Sequence, residues 1–370
     1  MLTIYGHCDG LSGVSRHASG FAGALARRGV ELGWVPLDHR RPPAAEPWTG
    51  WLSNGEAAPS DGTALGIGAP DVMPRLRGRR RIGWVVWETT RMPESHVCNL
   101  RDLDEVWTPT DWGRQVLVDS GLREVPVRVV PEGVDLEVFQ PIPQAGLGDR
   151  PFRFLSVGKW ERRKGFDLLV KAWAEAFKPD DPVELVLHTY DAKRPDWRLD
   201  HALARLDAGD CAPIRWSRPA PLLSLVLLYN RCDVAVSATR GEGWGLPIFE
   251  AMACAKPVIA PAFGALGELL DGHIADLIAV ETAPAAYGWD ADGDPPGEIG
   301  DWGEPRIDHL AELLRRAFEN PDRGAELGRR GRHAVEQRWT WDRSAEVALS
   351  AVSQTQELSK TVLESTGGGA

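Results

Sequence analysis

Short apolar runs of strand composition alternate with amphipathic stretches of helical period along this chain, and they do so in two series. Strands separated by helices pair through crossovers, which implies parallel sheets covered on both faces. The first series opens with Leu2-Thr3-Ile4-Tyr5, a loop punctuated by Gly6, Gly10 and Gly13, and a helix carrying Ala18, Phe21, Ala22 and Leu25 on one face. Arg27, Arg28 and Gly29 close that helix, with cations in the last turn and glycine beyond it. Ile82 to Trp87, Glu105 to Thr108 and Val127 to Val130 read as strands, and Asp111 as the cap of a helix through Val116 and Leu117. Pro141, Pro143, Gly146 and Gly148 then mark a linker. The second series runs strand Phe152–Val157, helix Phe166–Phe177, strand Val183–Leu187, helix Leu222–Tyr229, strand Asp233–Ser237, helix Pro247–Cys254 and strand Pro257–Ala260. Two doubly wound, Rossmann-like α/β domains facing a central cleft are expected, over residues 1–142 and 146–345. Glu281 to Glu304, rich in Ala, Pro, Gly and Asp, reads as a long loop, and residues 364–370 as a disordered tail.

A chain of 370 residues exceeds one ordinary core, which agrees with two domains. No apolar run reaches the roughly 18–20 residues that span a bilayer, and the N-terminus lacks a basic stretch followed by an apolar one. Five scattered cysteines without a C-x-x-C pair argue against a disulfide framework and a cysteine-built zinc site, so a cytoplasmic setting is expected. The formal charge of −11 disfavours general nucleic-acid binding. Arg75, Arg77, Arg79, Arg80 and Arg81 form a local exception. They read either as a solvated loop leading into a strand or as a contact for an acceptor phosphate, a nucleic-acid backbone or a lipid headgroup, the last giving a peripheral seat at the inner face of a membrane.

The most informative stretch is Ser237-Ala238-Thr239-Arg240-Gly241-Glu242-Gly243-Trp244-Gly245-Leu246-Pro247-Ile248-Phe249-Glu250-Ala251-Met252. A strand ends near Ala238, three glycines let the backbone turn and approach a ligand, and Pro247 suits a first helical turn. The N–H groups of Gly245, Leu246 and Ile248 are then expected to face the cleft at a positive helix end, suited to a diphosphate. Glu242 in the loop and Glu250 one turn into the helix can share that cleft, where a carboxylate accepts from paired sugar hydroxyls. A surface salt bridge and a capping residue are the bland reading of the same two acids. This stretch, continued through Ala253 to Ala260, resembles the Glu-x7-Glu motif of glycosyltransferase family 4, whose members have the two-Rossmann-domain GT-B fold. The resemblance implies that Glu242 contacts the transferred sugar, Glu250 the ribose, and the backbone at Gly243, Trp244, Gly245 and Leu246 the sugar and phosphate. Thr239 joins the donor-binding set.

Ser156-Val157-Gly158-Lys159-Trp160-Glu161-Arg162-Arg163-Lys164-Gly165 resembles the same family's Gly-Arg…Lys-Gly loop, whose cations clamp the donor diphosphate. Lys159 stands at the usual Arg position and Lys164 at the Lys position, with Gly158 and Arg163 beside them. Lysine is a point charge and not a bidentate fork, which loosens phosphate geometry at Lys159. These cations meet the charge growing on a nucleoside-diphosphate leaving group, so the resemblance calls for neither a metal nor a cofactor. Val129-Val130-Pro131-Glu132-Gly133-Val134-Asp135 resembles the family's inter-domain signature, often with Asn where Glu132 stands. The loop to Gly13 resembles its glycine-rich loop, which makes Gly13, Ser15 and Arg16 candidates at the domain interface. The family's frequent His at a first-domain strand end is replaced by Trp87-Glu88-Thr89-Thr90, with Glu88 facing donor or acceptor hydroxyls, or pairing with Arg91 or Arg101. The resemblance also implies a last helix, from Trp339-Thr340-Trp341 through about 346–363, that crosses back to the first domain.

The expected reaction is retaining transfer of a sugar from a nucleoside-diphosphate sugar to the hydroxyl of a glycan, a glycolipid or another acceptor. A nucleotide-sugar epimerase and a non-catalytic nucleotide-sugar-binding protein share the same features. A nicotinamide dehydrogenase fits worse, lacking G-x-G-x-x-G between a strand and a helix. Asp290-Ala291-Asp292 has the spacing of a metal–diphosphate motif but sits in the Pro/Gly-rich stretch, not at a strand end. Of sixteen tryptophans, Trp244 and Trp160 are the two expected near the donor.

Overall fold

The computed structural model describes residues 1–10, 12–38, 62–143, 150–191, 198–206, 209–218, 222–287 and 298–352. Leu11 of the N-terminal loop, the Asp290-Ala291-Asp292 triplet, the C-terminal part of the 346–363 helix and the 364–370 tail lie outside them. The first domain holds β1 (Leu2–Gly6), α1 (Gly13–Arg27), β2 (Leu32–Pro36), β3 (Thr63–Ile67), β4 (Arg80–Trp84), α2 (Glu94–Arg101), β5 (Glu105–Thr108), α3 (Asp111–Asp119) and β6 (Val127–Val129). Its sheet has the order β2-β1-β3-β4-β5-β6, every pair parallel. Phe21 on α1 meets Trp84 edge-on at 4.8 Å, and Trp84 meets Trp107 at 5.5 Å, which ties helix to sheet. Ser12 caps α1 by accepting from the Ser15 N–H. Thr110, and not Asp111, caps α3, accepting from the Gly113 N–H at 3.0 Å. Asp111 is the first helical residue, where its charge still complements the dipole.

The second domain holds β7 (Phe152–Lys159), α4 (Phe166–Ala176), β8 (Val183–Tyr190), α5 (Leu199–Ala204), β9 (Ile214–Ser217), α6 (Leu222–Arg231), β10 (Val234–Val236), α7 (Leu246–Ala253), β11 (Val258–Pro261), α8 (Gly264–Leu269) and β12 (Asp276–Ile278). The order β12-β11-β10-β7-β8-β9 is again all parallel. The expected long loop is corrected here. Its two ends pair as antiparallel strands β13 (Val280–Pro284) and β14 (Asp301–Pro305). Helices α9 (Ile307–Glu319) and α10 (Pro321–Arg338) follow.

The chain then returns to the first domain. Val134 donates its N–H to the Trp339 carbonyl at 2.9 Å, and residues 341–352 are helical. Asp342 takes a hydrogen bond from Arg28 of α1 at 2.6 Å, and Glu346 takes another at 2.8 Å. The arginine run near β4 is spent largely on the protein itself. Arg75 and Arg77 donate to the carbonyls of Leu37 and Pro74, Arg80 pairs with Glu105, and Arg81 reaches the Asp102 carbonyl. No helix among the described residues is long and apolar enough to cross a membrane.

Candidate active site

Doubly wound sheets bind ligands where the strand order reverses, outside the carboxyl ends of the strands. The order reverses between β1 and β3 in the first sheet and between β7 and β10 in the second. The chain leaving those four strands builds one cavity of about 340 Å³ between the domains. Gly10, Gly13 and Arg16 follow β1, and Ile67 to Pro70 end β3. Gly158, Lys159, Arg163 and Lys164 follow β7, and Glu242, Trp244, Gly245 and Leu246 follow β10. Glu88 and Glu132 close the first-domain side.

Glu242 is the most heavily held group. Its Oε1 accepts from Lys164 Nζ at 2.5 Å and its Oε2 from Arg163 Nη1 at 3.2 Å. Burial pushes this carboxyl up, but Lys164 and Arg163 outweigh it and leave it below its ordinary value. Arg163 also donates to the Gly241 carbonyl at 2.8 Å and to Glu161 at 2.7 Å, with Glu88 at 3.5 Å. Burial opposes its charge, yet Glu88, Glu242 and Glu161 together hold the guanidinium pKa well above the ordinary value. Glu88 in turn accepts from the Tyr287 hydroxyl at 3.3 Å, and not from Arg91 or Arg101.

Gly241 sits so close to the first domain that a Cβ there would lie 2.0 Å from the Glu88 carbonyl oxygen. Gly243 packs in the same way on Val86 and Trp87 and does not line the cavity. Thr239 is fully buried, its hydroxyl shared between the carbonyls of Arg163 (3.1 Å) and Gly241 (3.0 Å), so it braces the loop from behind. Gly245 enters α7 with φ of +101°, a region that favours glycine. The expected trio of N–H groups is reduced, because Ile248 donates to the Gly245 carbonyl at 2.9 Å. Gly245 and Leu246 are left at the cavity wall.

Glu250 lies behind that wall. It is buried, accepting from the Tyr229 hydroxyl at 2.9 Å and pairing with Arg16 Nε at 3.0 Å. Arg16 lines the cavity, whereas Ser15 stays behind it, accepting from the Gly10 N–H at 2.9 Å. Trp244 lines the cavity and packs on Phe249. Trp160 does not: it stacks on Phe166 at 5.2 Å inside the second core. Glu132 stands 3.5 Å from His17 Nδ1. Burial, reinforced by Glu242, pushes the Glu132 carboxyl well above the carboxylate range, while burial drives His17 down to about 3.

Several groups here escaped the sequence reading. His188 and Tyr190 at the end of β8 lie beside Val157 and Lys159 of β7 in register, so adjacency to a functional strand end is the signal that points to them. Tyr229 on α6, Tyr287 near β13 and His17 on α1 carry no local motif and are placed only by tertiary packing. Among the described residues no group of His, Cys, Asp and Glu is arranged to hold a metal ion.

Residues 151–288 match the family described as "Glycosyl transferases group 1". The chain is 30% identical over 202 residues to D-inositol 3-phosphate glycosyltransferase 2 of Catenulispora acidiphila, covering 50% of this chain and 47% of that protein. It is 29% identical over 262 residues to D-inositol 3-phosphate glycosyltransferase of Kineococcus radiotolerans, covering 66% and 56%. The chain thus spans about half the length of the curated relatives it matches. Among solved structures, sucrose-phosphate synthase from Thermosynechococcus elongatus superposes with a TM-score of 0.68 at 19% identity, over 97% of this chain and 99% of that one. Anabaena HepE in complex with UDP and glucose gives 0.69 at 13% identity, over 95% and 99%. Residues 151–288 thus carry the sequence of the group 1 glycosyl transferases, and the two-domain architecture is the GT-B fold.

Proposed function

We propose that this chain is a retaining glycosyltransferase of family 4, moving a sugar from a nucleoside-diphosphate sugar to an acceptor hydroxyl. The observation that carries the reading is the Glu242 carboxylate, gripped by Lys164 and Arg163 beside the start of α7 in an inter-domain cavity. Lys159, Lys164 and Arg163 supply positive charge where a diphosphate departs, and Gly245 and Leu246 offer the amide end of a helix. Glu242 accepts from hydroxyls of the transferred sugar, and Glu250 is the ribose acceptor. The acceptor hydroxyl of a glycan, glycolipid or smaller polyol enters from the Glu88 side. In the front-face route, the bond from the anomeric carbon to the β-phosphate oxygen breaks. The acceptor oxygen bonds to that carbon on the same face, and its proton passes to the departing phosphate. No protein nucleophile is needed.

The test is a thermal-shift panel of UDP-, GDP-, ADP- and dTDP-sugars, followed by transfer assays with the donor that stabilises the fold. A ligand at one hundred times its Kd adds about 2.7 kcal/mol, well within reach of such a measurement. Glu242→Ala is expected to lower transfer by about 10²–10³-fold with the fold intact, as for loss of a preorganised group at a reacting centre. NMR of the product is expected to show a new glycoside with the donor's anomeric configuration. Near-normal turnover in the variant, an inverted product, or an epimerised sugar in place of a glycoside overturns the reading.

A further inference from the structure

Glu132 is a buried acid in the cavity wall that the transfer steps above leave without a task. It sits at the middle of a stretch pinned at both ends. Val130 donates its N–H to the Thr108 carbonyl at 2.9 Å, and Val134 donates to the Trp339 carbonyl at 2.9 Å. Gly133 packs so closely on the returning chain that a Cβ there would lie 2.2 Å from the Trp341 nitrogen. The carboxyl thus has little freedom to turn toward another partner. Its one close polar contact among the described residues is His17 of α1, whose Nδ1 stands 3.5 Å from Oε1, beyond ordinary hydrogen-bond length. No lysine or arginine among those residues lies within ion-pair distance of it.

Four ionisable groups face Glu132: Arg16 and His17 from α1, Glu242 from the loop before α7, and Glu250 from α7 itself. His17 lies edge-on to Trp84 and stacked on Trp341, and burial keeps it neutral. Glu242 and Glu250 bring negative charge, which Arg16, paired with Glu250 at 3.0 Å, offsets in part. An ionised carboxylate without donors, beside two others, is the costly form of this residue. A nucleoside diphosphate in the same cavity adds negative charge and favours the proton further.

We propose that Glu132 contacts the substrate as a neutral acid, donating its O–H to a hydroxyl oxygen of the transferred sugar beside Glu242, with His17 as its positioning residue. This rests on the seat of the sugar at Glu242 given above. Glu242, held ionised by Lys164 and Arg163, can only accept. A sugar hydroxyl that donates to Glu242 keeps its lone pairs, and a neutral acid answers them without adding charge. An ionised Glu132 offers acceptors alone and repels Glu242. With Oε1 turned to His17, Oε2 is the oxygen that carries the proton. One hydroxyl is thereby read as a donor by the second domain and as an acceptor by the first.

The experiment compares wild type, Glu132→Gln and Glu132→Met. Glutamine keeps a neutral donor and acceptor, whereas methionine keeps the bulk and loses both. In sugar transfer, Glu132→Met is expected to lose about 10–100-fold in kcat/KM, and Glu132→Gln, the conservative rescue, less than about fivefold. The infrared difference between wild type and Glu132→Gln at pH 7 is expected to show the C=O band of a protonated carboxyl, and the band to shift when the donor binds. Urea midpoints are expected to separate in favour of Glu132→Gln from pH 5.0 to 7.5, because folded wild type holds a proton that the unfolded chain releases above about pH 4.5. Full activity in a folded Glu132→Met, equal damage in both variants, or a missing band overturns the proposal. Midpoints that separate in favour of wild type mark an ionised Glu132 and do the same. If Glu132→Met does not fold, the donor-induced shift decides, and a band that the donor leaves unmoved refutes the contact. If no nucleotide sugar binds or reacts with wild type, the transferase reading fails instead, while the band, measured without ligand, still reports the neutral acid.

Discussion

His17 is buried against Trp84 at 4.3 Å and Trp341 at 5.5 Å, with the Glu132 carboxyl 3.5 Å from its Nδ1, and burial holds it neutral with a pKa of about 3. In the unfolded chain it takes up a proton below about pH 6.5. Between those values the unfolded state binds more protons, so stability falls as pH falls, by up to about 1.4 kcal/mol per pH unit. Glu132 acts with the opposite sign, because its raised pKa makes the folded state the one holding a proton above pH 4.5. His188, lowered by burial to about 4, adds to the His17 slope. Comparing variants isolates one group from this sum. His17→Gln is expected to flatten the acid limb by about 1 kcal/mol per pH unit below 6.5, read from urea midpoints at pH 7.5 and 5.0. An equal loss between the two pH values in wild type and variant disproves the assignment.

At the scale of elements, the β13–β14 hairpin joins what the sequence presents as separate parts. Arg240, 2% exposed, makes paired hydrogen bonds to Asp167 at the start of α4 (2.9 and 2.8 Å) and to Glu304 on β14 (2.5 and 3.0 Å). Its guanidinium lies 5.3 Å from the Trp302 ring, and Gly303 donates to its carbonyl at 2.9 Å. On the other side, Asp301 accepts from the Thr90 N–H at 2.9 Å. The loop bearing Glu242 is thus fixed through Arg240 to a hairpin that also grips the first domain. Arg240→Ala leaves two carboxylates without their cation and is expected to cost about 3–5 kcal/mol. Glu304→Gln, at a rim that is one-third exposed, is expected to cost under about 1 kcal/mol. Denaturant unfolding of both checks the ranking; similar losses remove Arg240 from the centre of the network. None of this is legible in Glu281–Glu304, whose Ala, Pro and Gly content masks a pairing that depends on Trp302 finding a core. The elements flanking Glu242 and Lys164 are legible because strand end, glycines and helix start are consecutive there. The partners of those residues are not, because Tyr229, Tyr287 and Arg16 arrive from elements distant in sequence.

For the whole molecule, the decisive distance is the one between domains, since the cavity takes its walls from both. Gly241 reports it: a methyl group there would meet the Glu88 carbonyl at 2.0 Å, about half a van der Waals contact, and that atom belongs to the other domain's backbone. Backbone cannot rotate away as a side chain can. The clash is relieved by separating the domains or by pushing the Glu242 loop back, and either draws Glu242, Lys164 and Arg163 away from the first-domain groups. A displacement of about 1 Å at a reacting centre costs on the order of 100-fold in rate. Gly241→Ala is therefore expected to lose about 100-fold in kcat/KM for sugar transfer, to keep its far-ultraviolet dichroism, and to show a larger radius of gyration in solution scattering. Gly272→Ala, with nothing within 4 Å of the added carbon, is the matched control and is expected to behave as wild type. If Gly241→Ala keeps both its rate and its dimensions, the close seating of the two domains is not what assembles the site.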